Sequence, residues 1–224
     1  MNWEAIALSL RLAICVAGIL LVVGMPIAYW VTFSRWRWKF LFEAIVALPI
    51  VLPPTVLGYY ILVGLGPQHF AGRIWQSWFG HTLPFTFSGL LVASVIYSLP
   101  FAVQPFSAGF EAVDRRLIEA SWTLGASRVE TFFRVILPLS AAGAITGIVL
   151  SFAHTIGEFG VVLMVGGNIP GVTRTVSIDI YDQVQAANYD VANRTALVLL
   201  FFSFLVLALI YGTNRRAFGL WRRS

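Results

Sequence analysis

The amino-acid sequence predicts an all-α polytopic membrane protein with five spanning helices, and three observations carry that prediction. Charged residues make up 11% of the 224 positions and hydrophobic residues 58%, with a mean hydropathy of +0.82. A soluble domain carries about a quarter charged residues, so water is not the solvent for most of this surface. The apolar residues gather into five runs long enough to cross a bilayer, and the basic residues cluster between the runs. That clustering is the pattern of membrane orientation, and in spite of the net charge of +5 it forms no stripe for nucleic acid.

A spanning helix needs about 20 mostly apolar residues. Segments 5–33, 40–65, 86–106, 135–157 and 195–213 meet the requirement, within a single transmembrane domain over 1–224. The first run is too long for a cleavable signal core and is preceded by Glu4 rather than by a basic region. Segments 86–106 and 195–213 contain no charge. Arg11 and Glu43 lie near the starts of their segments, where a long side chain reaches the interface. The lone Cys15 excludes an internal disulfide, and no Cys/His cluster has metal-ligand spacing.

Orientation follows from counting Lys and Arg in the connections. With the N-terminus outside, the inner side holds Arg35, Arg37, Lys39, Arg115, Arg116, Arg128, Arg134, Arg215, Arg216, Arg222 and Arg223. The outer side holds Arg11, Arg73, Arg174 and Arg194. Eleven against four is a positive-inside bias, and five spans then put the C-terminus in the cytoplasm. Trp30, Trp36 and Trp38 flank one boundary, and Trp75 and Trp78 another.

The fourth segment is too long for one straight span. Residues 135–167 as a helix would run about 50 Å against a hydrocarbon thickness of about 30 Å. A break is expected at Gly157–Gly160, around Glu158, with 159–165 as a short element at membrane depth. Pro49, Pro53, Pro54 and Gly58 predict a similar break in the second span, as do Pro100 and Pro105 in the third. Gly143 and Gly147 form a small-xxx-small pair that permits close helix approach.

The loop 107–134 reads as two short helices. Asp114 is an N-cap candidate before Leu117, Ile118, Ser121 and Leu124 at helical spacing, and Gly125 is the C-cap candidate. Ser127-Arg128-Val129-Glu130 is a capping box that starts the second helix. Periodicity alone fits either a docking element for a partner's groove or an amphipathic helix lying on headgroups.

Glu119-Ala120-Ser121, then Gly125, then Leu137-Pro138, with Val135 at the aliphatic position, resembles the EAA motif of ABC importer permeases. Ser121 stands where the motif has a second Ala. The resemblance implies an importer-permease (MetI-like) architecture in which the short helix enters a cleft on cytoplasmic ATPase subunits. It makes Glu119, Ala120, Ser121 and Gly125 the coupling residues, with Leu117, Ile118 and Leu124 supplying apolar contact. The only lysine, Lys39, lies between Trp38 and Phe40, so no phosphate-cradling Gly-x-x-x-x-Gly-Lys loop exists. No cofactor is expected in this chain; ATP and Mg belong to the partner.

Two further stretches are similar to the molybdate branch of these permeases: Leu48 to Tyr59, and Ser151 to Gly160 continued by Asn168 to Thr175. The second favours molybdate or tungstate over sulfate. Where the branch leads us to expect Arg, this chain has His154. The resemblance implies an inner-membrane homodimer that receives the oxyanion from an extracytoplasmic binding protein. Pro53, Pro54, Gly58, Gly157, Glu158, Gly160, Asn168 and Arg174 are the pathway or gate candidates.

Glu158 must face protein rather than lipid, and it lies one turn from His154 as a potential partner. A carboxylate repels a dianion, which favours a structural role for it. Arg174 is placed either to meet the binding protein or the anion, or to be a solvated charge. His69 and His81 read as solvated loop residues. An ion-coupled secondary transporter would show inverted repeats and intramembrane relays. An intramembrane enzyme would need a nucleophile or metal constellation. His154 and Glu158 supply neither.

Overall fold

The computed structural model describes residues 1–221, with side chains described as far as Ala208. Arg222 and Arg223, counted above on the inner side, lie outside the described residues. The elements are α1 (Trp3–Phe33), α2 (Lys39–Val51), α3 (Pro54–Leu65), α4 (Phe70–Phe79), α5 (Phe87–Glu111), α6 (Arg115–Thr123), α7 (Arg128–Thr131), a π turn (Phe132–Ile136), α8 (Leu137–Leu139), α9 (Ala141–Gly157), α10 (Gly160–Gly166), α11 (Val176–Gln185) and α12 (Tyr189–Trp221). Among the described residues there is no strand.

Among the described residues, three helices are long and apolar enough to cross a membrane alone: α1, α5 and the Tyr189–Ala208 part of α12. Two bent pairs raise the number to five if each is one crossing. These are α2 with α3, bent by 114°, and Arg128–Leu139 with α9, bent by 75°.

Helix α1 starts where the Asn2 side chain accepts the Ala5 N–H, and α5 where the Thr86 hydroxyl accepts the Gly89 N–H. Both caps fill donors that a helix start leaves open. The core is a trio in which α1, α5 and α9 each pack on the other two. Phe106 is its wedge: a β-carbon on Gly24 of α1 would lie 3.3 Å from its ring, and one on Gly147 of α9 only 2.5 Å away. Gly143 packs as closely on Gly109 and the Pro105 carbonyl, so the small-residue pair serves packing within the chain.

Residue pairs set the helix directions. Arg11 lies over Phe87 and Gly24 beside Ala102, so α1 and α5 are parallel. Gly143 meets Gly109 while Thr155 meets Ser98, so α9 is antiparallel to both. The turn 34–38 and the segment α6–α8 therefore share one end of the bundle. The N-terminus and the loop 167–175 share the other, where Asn2 donates to Asp179 and Ser9 accepts from the Val176 N–H.

Several sequence expectations need correction. Pro100 and Pro105 do not break the third span: α5 runs unbroken and continues to Glu111, five residues past the expected end. It packs against both α1 and α9, and neighbouring helices commonly make proline tolerable within a membrane helix. Within the fourth segment α9 starts at Ala141 rather than 135, because Ser140 ends a helix that lies at 75° to it. The last helix begins at Tyr189, ahead of the expected 195. The break at Gly157–Gly160 is present, with α10 as the short element beyond it.

Candidate coupling element and pathway

Helix α6 is built as expected from its caps. The Asp114 carboxylate accepts the Arg116 N–H at 2.9 Å. At the other end Gly125 has φ +88°, the Ala126 N–H donates to the Ser121 carbonyl and the Gly125 N–H to the Trp122 carbonyl. Those two bonds are a Schellman closure, which needs the left-handed backbone that Gly supplies cheaply. Ser127 then caps α7 by accepting the Glu130 N–H at 3.2 Å.

The two faces of α6 divide the predicted coupling residues. Leu117 is 48% exposed and Leu124 88%, and Glu119 and Ala120 lie open beside them. Ile118 is only 4% exposed and belongs to the main core, where Ile136 and Phe110 also sit. It is a foundation of the element and not, as expected, part of its contact surface. Ser121 also points inward: its hydroxyl donates to the Ile118 carbonyl and meets Thr131 Oγ1, each at 2.8 Å. With the Ser121 proton committed, Thr131 donates to Ser121. The serine that replaces the motif's alanine thus bolts α6 to α7.

The two broken segments meet. A β-carbon on Gly160 would lie 2.6 Å from Pro54 Cβ, and one on Gly58 2.8 Å from Met164 Cβ. Pro53, Pro54, Gly58 and Gly160 therefore form one joint, while Gly157 faces open space. Glu158, 5% exposed, turns its carboxylate onto the start of α10, accepting the Val161 N–H at 2.6 Å and the Val162 N–H at 2.9 Å. The expected pairing with His154 is absent. A carboxylate is the natural occupant of free helix N–H groups.

His154 instead places Nδ1 3.0 Å from Ser98 Oγ, with its ring stacked on Phe101 at 3.9 Å. Ser98 also meets Thr155 Oγ1 at 3.0 Å, and Thr155 donates to the Ser151 carbonyl. Satisfying all three contacts requires Ser98 to donate to Thr155 and His154 Nδ1–H to donate to Ser98. This mid-span hydroxyl chain went unread in the sequence, because Ser98 and His154 lie on different helices.

Asn168 and Arg174 are brought together at the opposite end. Arg174 Nε donates to Asn168 Oδ1 at 2.6 Å, Asn168 Nδ2 donates to Asp182 Oδ2 at 2.6 Å, and Arg174 lies 3.6 Å from the same carboxylate. Arg174 is thus the closure of a polar clamp between the 167–175 loop and α11. Asp179, buried at 1% exposure and accepting a hydrogen bond from Asn2, was likewise invisible to a periodicity argument.

Comparison with known proteins places this arrangement. The model of the binding-protein-dependent transport system inner membrane component family matches residues 21–218. The chain is 53% identical over 216 residues to the molybdenum transport system permease protein ModB of Azotobacter vinelandii, covering 96% of both. It is 38% identical to the ModB of Escherichia coli K12, covering 82% of this chain and 80% of that one. It is also 33% identical to a probable sulfate transport permease of Chlorella vulgaris, covering 92% and 77%. In fold it resembles a solved inward-facing MetNI methionine ABC transporter, with a TM-score of 0.74 at 16% identity over 96% of this chain and 95% of that one. The chain belongs to the binding-protein-dependent transport system inner membrane component family, the MetI-like permeases of ABC importers.

Proposed function

We propose that this chain forms the transmembrane pathway of an importer for molybdate or tungstate, as a homodimer that takes the anion from an extracytoplasmic binding protein. Two cytoplasmic ATPase subunits drive it by gripping the exposed face of α6. The observation that carries the substrate is the 53% identity, over 96% of both chains, to a permease named for molybdenum transport. The coupling assignment is supported by α6 itself, a capped helix with Leu117 and Leu124 exposed and its other face buried. The excess of Lys and Arg at the α6 end supports placing that end in the cytoplasm and the N-terminus outside.

The pathway suits a dianion that must leave as readily as it enters. Glu158 is committed to backbone N–H groups and Arg174 to Asn168 and Asp182, so neither offers a tight ionic cage. High affinity then resides in the binding protein, and α6 biases a two-state gate at the Pro54–Gly160 joint. The test is anion uptake into vesicles that carry the permease and its ATPase, with binding protein outside. Accumulation of molybdate that requires ATP and is resisted only weakly by excess sulfate supports the reading. Uptake without nucleotide hydrolysis would sink it, and preferential sulfate uptake would reassign the anion.

A further inference from the structure

We propose that a pocket on the flank of α6 holds the phosphodiester headgroup of an anionic phospholipid. The pocket, with a volume of about 790 Å³, opens between the last turn of α1, the start of α2 and the side of α6 that faces α1. That volume lies in the range of small-molecule sites, about 300–1,000 Å³.

Its charge is one-sided. Arg35, Lys39, Arg115 and Arg128 line it against the single carboxylate Glu119. Lys39 is shared with Glu43 at 3.6 Å. The side chains of Arg35, Arg115 and Arg128 have no ion pair or hydrogen bond among the described residues. Concave, uncompensated positive charge is a site for an anion.

The rest of the lining selects a lipid over a protein partner. Tyr29, Trp30 and Phe33 form an aromatic wall, and Trp30 packs on Trp36 and Phe42 at 5.9 and 5.0 Å. Such clusters sit at headgroup level, where amphipathic rings are stable. Thr32 completes the same wall. Phe40 and Leu41, directly after Lys39, are exposed and offer an acyl chain apolar surface as it leaves. Of the exposed coupling residues, Glu119 lines the pocket, whereas Leu117 and Leu124 do not. A basic recess between membrane helices, at the boundary, is the general form of an anionic-lipid site.

The experiment is native mass spectrometry of the full-length protein, with the subunits that stay attached, taken from vesicles of equal phosphatidylglycerol and phosphatidylcholine. The wild type should retain phosphatidylglycerol in preference. Arg35→Gln and Arg115→Gln should each weaken retention about fivefold, and Glu119→Gln should strengthen it, an opposite sign that misfolding would not give. Equal retention of the two lipids, or indifference to all three substitutions, would overturn the proposal. So would displacement of the lipid by millimolar inorganic phosphate, which would make the ligand a free anion. Loss of the lipid whenever an ATPase subunit is attached would also overturn it, by giving the pocket to that partner.

Discussion

Gly160 lies so close beside Pro54 that a β-carbon on it would come within 2.6 Å of Pro54 Cβ, which makes the breaks of two separate spans a single joint. Pro54 meets the added carbon with ring and backbone atoms and has no flexible end to move, so Gly160→Ala should overpack the joint and cost about 1–3 kcal/mol. Thermal unfolding in detergent reads that loss as a lower Tm. Gly64→Ala, in the same pair of spans with nothing within 4 Å of the added carbon, is the control. It should be neutral or stabilising by up to about 1 kcal/mol. Equal effects of the two would show that the joint is not tight.

Glu158 caps α10 with both carboxylate oxygens, and that geometry separates a structural role from an anion contact. Glu158→Ala leaves two buried N–H groups without partners, at about 1–3 kcal/mol for each. Glu158→Gln keeps one acceptor oxygen and should lose about half as much. Tm measured with and without substrate anion tests this. An unchanged Tm with an altered KM for uptake would instead make Glu158 a pathway residue.

The sequence was most legible where the signal is local. Asp114, Gly125 and Ser127 each act within a few residues of their own position, and each does what its residue type predicts. The break at Gly157–Gly160 was equally readable, since a helix through it would overshoot the bilayer. Pro100 and Pro105 misled because proline within a membrane helix need not end it where neighbouring helices pack alongside, and α5 packs against α1 and α9. Ile118 and Leu117 are adjacent leucine-like residues on a short helix, and only the position of Ile136 and Phe110 assigns one to the core and one to the surface. The Ser98–His154 and Arg174–Asn168–Asp182 contacts depend on helix or loop pairing that no spacing within one segment encodes.

Arg174 is held at the membrane's far end by Asn168 and Asp182, with its side chain partly exposed. A partly exposed pair of this kind contributes about 0.2–1 kcal/mol. Arg174→Gln should therefore shift Tm little. If the clamp only shapes the loop, Asp182→Asn should reproduce whatever change in uptake Arg174→Gln causes. A loss of binding-protein-stimulated uptake in Arg174→Gln alone would give the guanidinium a contact of its own.

Removing the bolt between α6 and α7 should uncouple the machine without dismantling it. Ser121→Ala leaves the Thr131 hydroxyl, which is 1% exposed, without its partner. The cost is about 1–3 kcal/mol, paid in the seating of α6. Thr131→Ala should cost less, since Ser121 keeps its bond to the Ile118 carbonyl, and the double substitution should be no worse than Ser121→Ala alone, because both members of the pair are then gone. Uptake per ATP hydrolysed should fall in each single variant while the amount inserted in the membrane stays constant.

Gly125 tests whether the orientation of α6, and not merely its presence, transmits force. At φ +88° a β-branched residue is strained by about 1–2 kcal/mol, so Gly125→Val should open the Schellman closure and let Leu124 swing from its exposed position. Nothing lies within 4 Å of the added β-carbon, so the strain is confined to the backbone. Leu124→Asp, in contrast, keeps the closure and puts a charge on the contact face. The first variant should still co-purify with an ATPase subunit yet hydrolyse ATP without accumulating anion. The second should fail to co-purify. If both variants lose the ATPase alike, α6 is only a docking peg, and the lever must be sought in another part of the 112–134 segment.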